Sequence, residues 1–131
     1  MSFYRKTGMV DVQECAVDST SVIAIGDLVQ TDESAGDLIP GATNVAVKGI
    51  ALKASASGST TAIPVDVLHP GDRVIASVEA GTPASTHNGK FADINSQDGI
   101  TLTASNNDVR VFYTGSATEI ECELLNLETN G

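Results

Sequence analysis

The 131-residue chain has no tryptophan and only five aromatic residues, Phe3, Tyr4, Phe91, Phe112 and Tyr113. A stacking surface for single-stranded nucleic acid needs more than this. Basic residues are also few: seven stand against seventeen acidic ones, a net charge of −10, and only Arg5 and Lys6 are adjacent. Phosphate backbones are bound by clustered Lys and Arg, so the expectation is a protein with no nucleic-acid partner. Long apolar runs are missing too. Nothing approaches the roughly 18 consecutive apolar residues of a membrane span, and the opening MSFYRKTGMVDV lacks the hydrophobic core of a secretory signal. The expectation is therefore no membrane partner and no export by a standard signal. Two cysteines, Cys15 and Cys122, are too few for a disulfide framework or a metal site, and both fall in strand-like runs that suit buried free thiols.

What is present is the palette of strands and turns. Hydrophobic residues make up 41% and charged residues 18% of the chain, which leaves Ser, Thr, Gly, Asn and Ala to fill the rest. Helical periodicity is almost absent. Short β-branched runs and alternation replace it, punctuated by Gly and Pro. Strand-like runs fall at 9–16, 21–30, 45–54, 62–68, 73–78, 90–94, 100–104, 109–113 and 119–127. In TEIECELLNL the acids Glu119, Glu121 and Glu123 alternate with Ile120, Cys122 and Leu124, which predicts one wet and one buried face. The fold class expected is all-β, a single small β-barrel or β-sandwich of residues 11–131. An extended N-terminal arm, residues 1–10, precedes it. That tip carries +2, whereas residues 11–131 carry five basic and seventeen acidic groups, a net of −12.

Turn dipeptides mark the corners. Gly26-Asp27 and Gly71-Asp72 both end an apolar run and open another, 45 positions apart. Asn88-Gly89 and Asp98-Gly99 divide the later meander, because Gly takes positive φ freely and Asn or Asp tolerate it. The polar stretch ASASGSTTA at 54–62 reads as a surface loop.

Candidate chemistry fails on its own terms. Acid–base catalysis needs two carboxylates in differing environments, but Asp27 and Asp72 each follow a glycine at a strand entrance and read as structural corners. Asp32, Glu33 and Asp37 lack the alternation of a calcium loop, and neither His69 nor His87 has a second ligand at metal spacing. Ser85, Thr86 and His87 are adjacent, which is not the geometry of a triad. Gly89-Lys90 is followed by Phe91, not by the Ser or Thr of a phosphate loop. The stretch SAGDLIPGATNVAVKGIAL resembles trimeric deoxyuridine triphosphatases, but the other motifs of that family are missing and the match is rejected. No catalytic residue, cofactor or metal is expected.

A different resemblance fits the order of features. An IGDLV strand leads to an acidic hairpin and Pro40, then to VKGIALKASASGSTTAIPVDVL, PGDRVIASV, NGKFADINSQDGITL and a terminal VRVFY…IECELL hairpin. Across roughly residues 20–127 this resembles the small β-barrel decoration (cement) proteins of tailed-bacteriophage capsids. The resemblance implies a non-enzymatic virion structural protein, made in the host cytoplasm and placed on the capsid exterior. Its partners would be the major capsid protein and two further copies of itself, as a homotrimer at three-fold or quasi-three-fold positions. In that family the N-terminal segment reaches onto the capsid, and the matching positions here include Phe3, Tyr4, Arg5 and Lys6. Two other readings remain at this stage. One is another virion β-module, such as a head fibre base, tail or host-attachment component. The other is a small ligand-binding β-domain with a site near Asp32, His69 or His87.

Overall fold

A computed structural model describes residues 3–128. The strands in chain order are β1 (Phe3–Thr7), β2 (Val12–Cys15), β3 (Leu28–Thr31), β4 (Leu38–Pro40), β5 (Gly49–Ala51), β6 (Ile63–Val67), β7 (Arg73–Ala80), β8 (Phe91–Ser96), β9 (Gly99–Thr101), β10 (Val109–Phe112) and β11 (Glu119–Leu124). A single 3₁₀ turn, Ser85–His87, is the only helical element among the described residues. The fold is all-β.

Strand β7 organises it. Its length of eight residues allows it to bond three neighbours. One edge takes β11, from Arg73 to Ser77. The opposite edge takes β1 against Arg73–Ala76 and then, in parallel, β9 against Val78 and Ala80. That last pairing closes the ring β7–β11–β10–β8–β9 into a five-stranded barrel, with β1 as an added sixth strand. Closure removes the exposed edges that an open sheet would have to protect. Alternation along each strand fills the interior: Phe3, Val74, Ala76, Ile94, Ile100, Val109, Val111, Ile120, Cys122 and Leu124 share one core.

The second sheet runs β2–β6–β5–β3–β4 and is apolar on both faces. Leu28 and Ile50 turn toward the barrel core, while Val29 and Ala51 turn toward a second core with Val17, Ile23, Leu38, Ile63, Val65 and Val67. The sheet curls back on itself. The Leu38 N–H donates to the Ala16 carbonyl and the Asp18 N–H to the Leu38 carbonyl, both at 2.9 Å, so β4 meets the chain just beyond β2.

The expected arm requires correction. Residues 3–7 of the stretch 1–10 are not an extension but strand β1, paired with β7 from Phe3↔Ala76 to Thr7↔Arg73. Phe3 is fully buried, which alone stabilises the fold by about 1.5–3 kcal/mol. The physical reason is alternation: FYRKT places Phe3 inward and Tyr4 outward, and β7 has a bare edge for it to cover. Met1, Ser2 and the last three residues, 129–131, lie outside the described residues. Two other elements also differ from expectation. Within the expected run 21–30 the strand begins only at Leu28, because the turn at Gly26 breaks the run, and it continues to Thr31; Leu38–Pro40 is a strand where the sequence suggests an acidic hairpin leading to Pro40.

Candidate functional site

Of the four N-terminal residues expected to contact a partner, two are structural. Phe3 lies in the barrel core. Arg5 donates from Nε and Nη2 to both carboxylate oxygens of Asp66 on β6, at 2.9 and 2.6 Å. Its Nη1 reaches Asp72 at 2.8 Å. The Asp66 hydrogen bond is the main force raising the Arg5 pKa, with Asp72 adding to it against the cost of burial. Tyr4 and Lys6 remain exposed.

The two Gly-Asp pairs form the same turn. Gly26 and Gly71 have φ of 90° and 91°, the region a type II turn requires at its third position. In each, the aspartate N–H closes the turn onto a carbonyl three residues back, Ala24 at 3.1 Å and His69 at 3.0 Å. In each, the aspartate Oδ2 accepts the N–H of that same residue, at 2.9 Å from Ala24 and 3.0 Å from His69. Their electrostatics differ. Asp72 faces Arg5, whereas burial is the main cause raising the pKa of Asp27, and Asp98 adds to it. The two carboxylates face separate neighbours.

The later turns carry their own bonds. Gly89 has φ of 80°, and the Asn88 side-chain carbonyl accepts the Tyr113 N–H at 3.2 Å. At the β8–β9 hairpin Ser96 pairs with Gly99, so Gln97 and Asp98 form the loop and Gly99 opens the strand. A Cβ at Gly99 would meet the Glu79 side chain at 2.3 Å, so the glycine is needed for close approach. The histidines and Asp32 are each engaged locally. His69 Nε2 pairs with Asp11 Oδ2 at 2.7 Å, His87 Nδ1 accepts the Ala84 N–H at 2.9 Å, and Asp32 accepts the Ser34 hydroxyl at 2.8 Å. Among the described residues no group of three His, Cys, Asp or Glu is placed to hold a metal ion.

Two buried acids serve as loop anchors that sequence reasoning missed. Asp108 accepts the Ile94 and Asn44 N–H groups and the Thr43 hydroxyl, at 2.9, 3.0 and 2.8 Å. Asp93 accepts the N–H groups of Ser105 and Asn106, at 2.8 and 3.0 Å. Most of these donors lie far from their acceptors in sequence, so no local motif announces them.

The outer barrel wall gathers most of the chain's aromatics. Register puts Tyr4, Ile75, Glu121 and Phe112 in one cross-strand row. The next row is Arg73, Glu123, Arg110 and Phe91. The Arg73 guanidinium lies 3.7 Å from the Phe112 ring centroid, and that of Arg110 lies 4.7 Å from Phe91. Arg73 also bonds Glu121 at 2.8 Å. The acidic face of β11 is thus built into an aromatic and arginine mosaic, not a uniformly wet surface.

Two depressions mark the surface of the described residues. An apolar groove of about 210 Å³ runs between β1 and the β5 end, rimmed by Tyr4, Val10, Ile25 and Leu52. An open cleft of about 740 Å³ lies beside Asp32, Glu33 and Glu128, over Ile39, Val45 and Leu127. No protein-family model matches the chain, and no curated protein matches it.

Proposed function

We propose that this chain is a virion structural protein that binds the outer surface of a phage capsid and stabilises the shell as a trimer at three-fold or quasi-three-fold positions. The observation that carries this reading is the outer barrel wall, where Phe91 and Phe112 on the closed barrel and Tyr4 on the added strand β1 are interleaved with Arg73 and Arg110. Aromatic and Arg side chains dominate the binding energy of protein interfaces, and rigid strands present them at little entropic cost. The order of turns and strands resembling decoration proteins supports the same reading, and so does a net charge of −10 on a protein that would work away from packaged DNA. The contact requires no cofactor and no reaction. The test is to mix the purified protein with expanded capsids lacking it. Saturable binding at symmetry-related positions is expected; the absence of binding contradicts the reading.

A further inference from the structure

Strand β2 stands at the end of the second sheet and pairs with β6 along one edge only. The Val67 N–H donates to the Asp11 carbonyl at 2.8 Å, which sets the alternation: Asp11, Gln13 and Cys15 turn their main-chain groups toward β6. Pro64, opposite Glu14, has no N–H, and its carbonyl accepts the Leu52 N–H instead. Val12 and Glu14 therefore aim their N–H and carbonyl groups away from β6. Farther along this outer side, Leu38 of β4 bonds the Ala16 carbonyl and the Asp18 N–H. Before Ala16 the edge is bare, and among the described residues no hydrogen bond engages the outward main-chain groups of Val12 or Glu14.

We infer that this edge is a docking strip for an extended segment of a partner protein, with an apolar residue beside Val12 and a Lys or Arg beside Glu14. Strand addition takes its affinity from main-chain hydrogen bonds and its specificity from side chains at alternate positions. Val12 and Glu14 lie two positions apart on one face of β2, and both are exposed, Val12 by 50%. Glu14 makes no ion pair among the described residues. Charge selects the occupant. A carboxylate on the bare edge of a chain with a net charge of −10 attracts a basic segment and repels another acidic copy. The strip belongs to the second sheet, not to the barrel wall, and its use does not depend on capsid binding.

The probe is an end-capped octapeptide, Thr-Val-Thr-Lys-Thr-Val-Thr-Lys, titrated to millimolar concentration against the full chain and followed by amide NMR. Saturable binding is expected, with shifts and new exchange protection at the Val12 and Glu14 N–H groups. A peptide with Glu in place of both Lys residues should bind about tenfold more weakly, and Glu14→Lys should reverse that preference. Val12→Pro removes an outward N–H but no bond to β6, a position where an edge strand tolerates proline. It should weaken the Lys peptide about tenfold with the melting temperature unchanged, and Glu14→Lys keeps the test intact if proline disturbs the strand. The inference is overturned by the absence of saturable binding, by shifts confined to other strands, or by a Lys-over-Glu preference that Glu14→Lys leaves as it was. Pairing of the protein with itself along β2, in place of peptide binding, overturns it as well.

Discussion

Arg5 and Asp66 join the two sheets through a two-pronged hydrogen bond, at 2.9 and 2.6 Å, between β1 beside the barrel and β6 in the second sheet. Their side chains are only 10% and 6% exposed, and Asp72 completes the site at 2.8 Å from Arg5. Removing the cation leaves two carboxylates in a largely dry setting. Arg5→Ala should therefore lower stability by about 3–5 kcal/mol in urea unfolding. Arg5→Lys should not restore it, since an ammonium cannot reproduce the planar fork. A loss no larger than that of an exposed ion pair, under about 1 kcal/mol, would show that the tie carries little.

The twin turns predict opposite responses to the same substitution. Burial raises the Asp27 pKa, so the folded state holds its proton to higher pH than the unfolded chain does. Between those two values the native state binds more protons, and stability falls as pH rises through the window. Asparagine still accepts the Ala24 N–H and never ionises. Asp27→Asn should thus cost nothing at neutral pH, and any gain should shrink in mild acid. Asp72→Asn loses the attraction to Arg5 and should cost about 1–3 kcal/mol at neutral pH. Denaturant unfolding at neutral and mildly acid pH separates the two.

On the barrel wall the three glutamates of β11 are unequal. Glu121 is held by Arg73, whose guanidinium also stacks on Phe112. Glu121→Ala should cost up to about 1 kcal/mol, whereas Glu119→Ala should be close to neutral. A thermal-unfolding comparison of the two variants checks this.

The thiols differ in reach. Cys122 is fully buried in the barrel core, and burial pushes its pKa up to about 12. Cys15 is partly buried at the end of β2, and burial raises its pKa as well. Because the thiolate is the nucleophile, a disulfide reagent should modify Cys15 slowly in the native protein and Cys122 only on unfolding. Mass mapping of the labelled positions reads the outcome.

Some of this was legible in the sequence. Gly26-Asp27 and Gly71-Asp72 combine a residue free to take positive φ with a short acceptor, so their local chemistry alone specifies a corner. The alternation of β11 likewise announces its buried face. The strand at Phe3–Thr7 was obscured because two adjacent cations suggest a solvated tip, while Asp66 and Asp72, the partners that fix Arg5, lie more than sixty residues away. The anchors Asp93 and Asp108 were hidden because their donors sit on other loops and strands, 12 to 65 residues away, outside any local motif. The aromatic and arginine rows could not be seen either, since they exist only once β1, β7, β11, β10 and β8 are set in register.

The proposed capsid-binding face is the outer barrel wall, where Arg110 lies over Phe91. Cosedimentation of Phe91→Ala and Arg110→Ala variants with expanded capsids tests it most directly, with melting curves to show that each variant is folded. A weakening of about tenfold or more in each is predicted, as for aromatic and Arg residues at the centre of an interface. Wild-type affinity in both variants, with the fold intact, would contradict it.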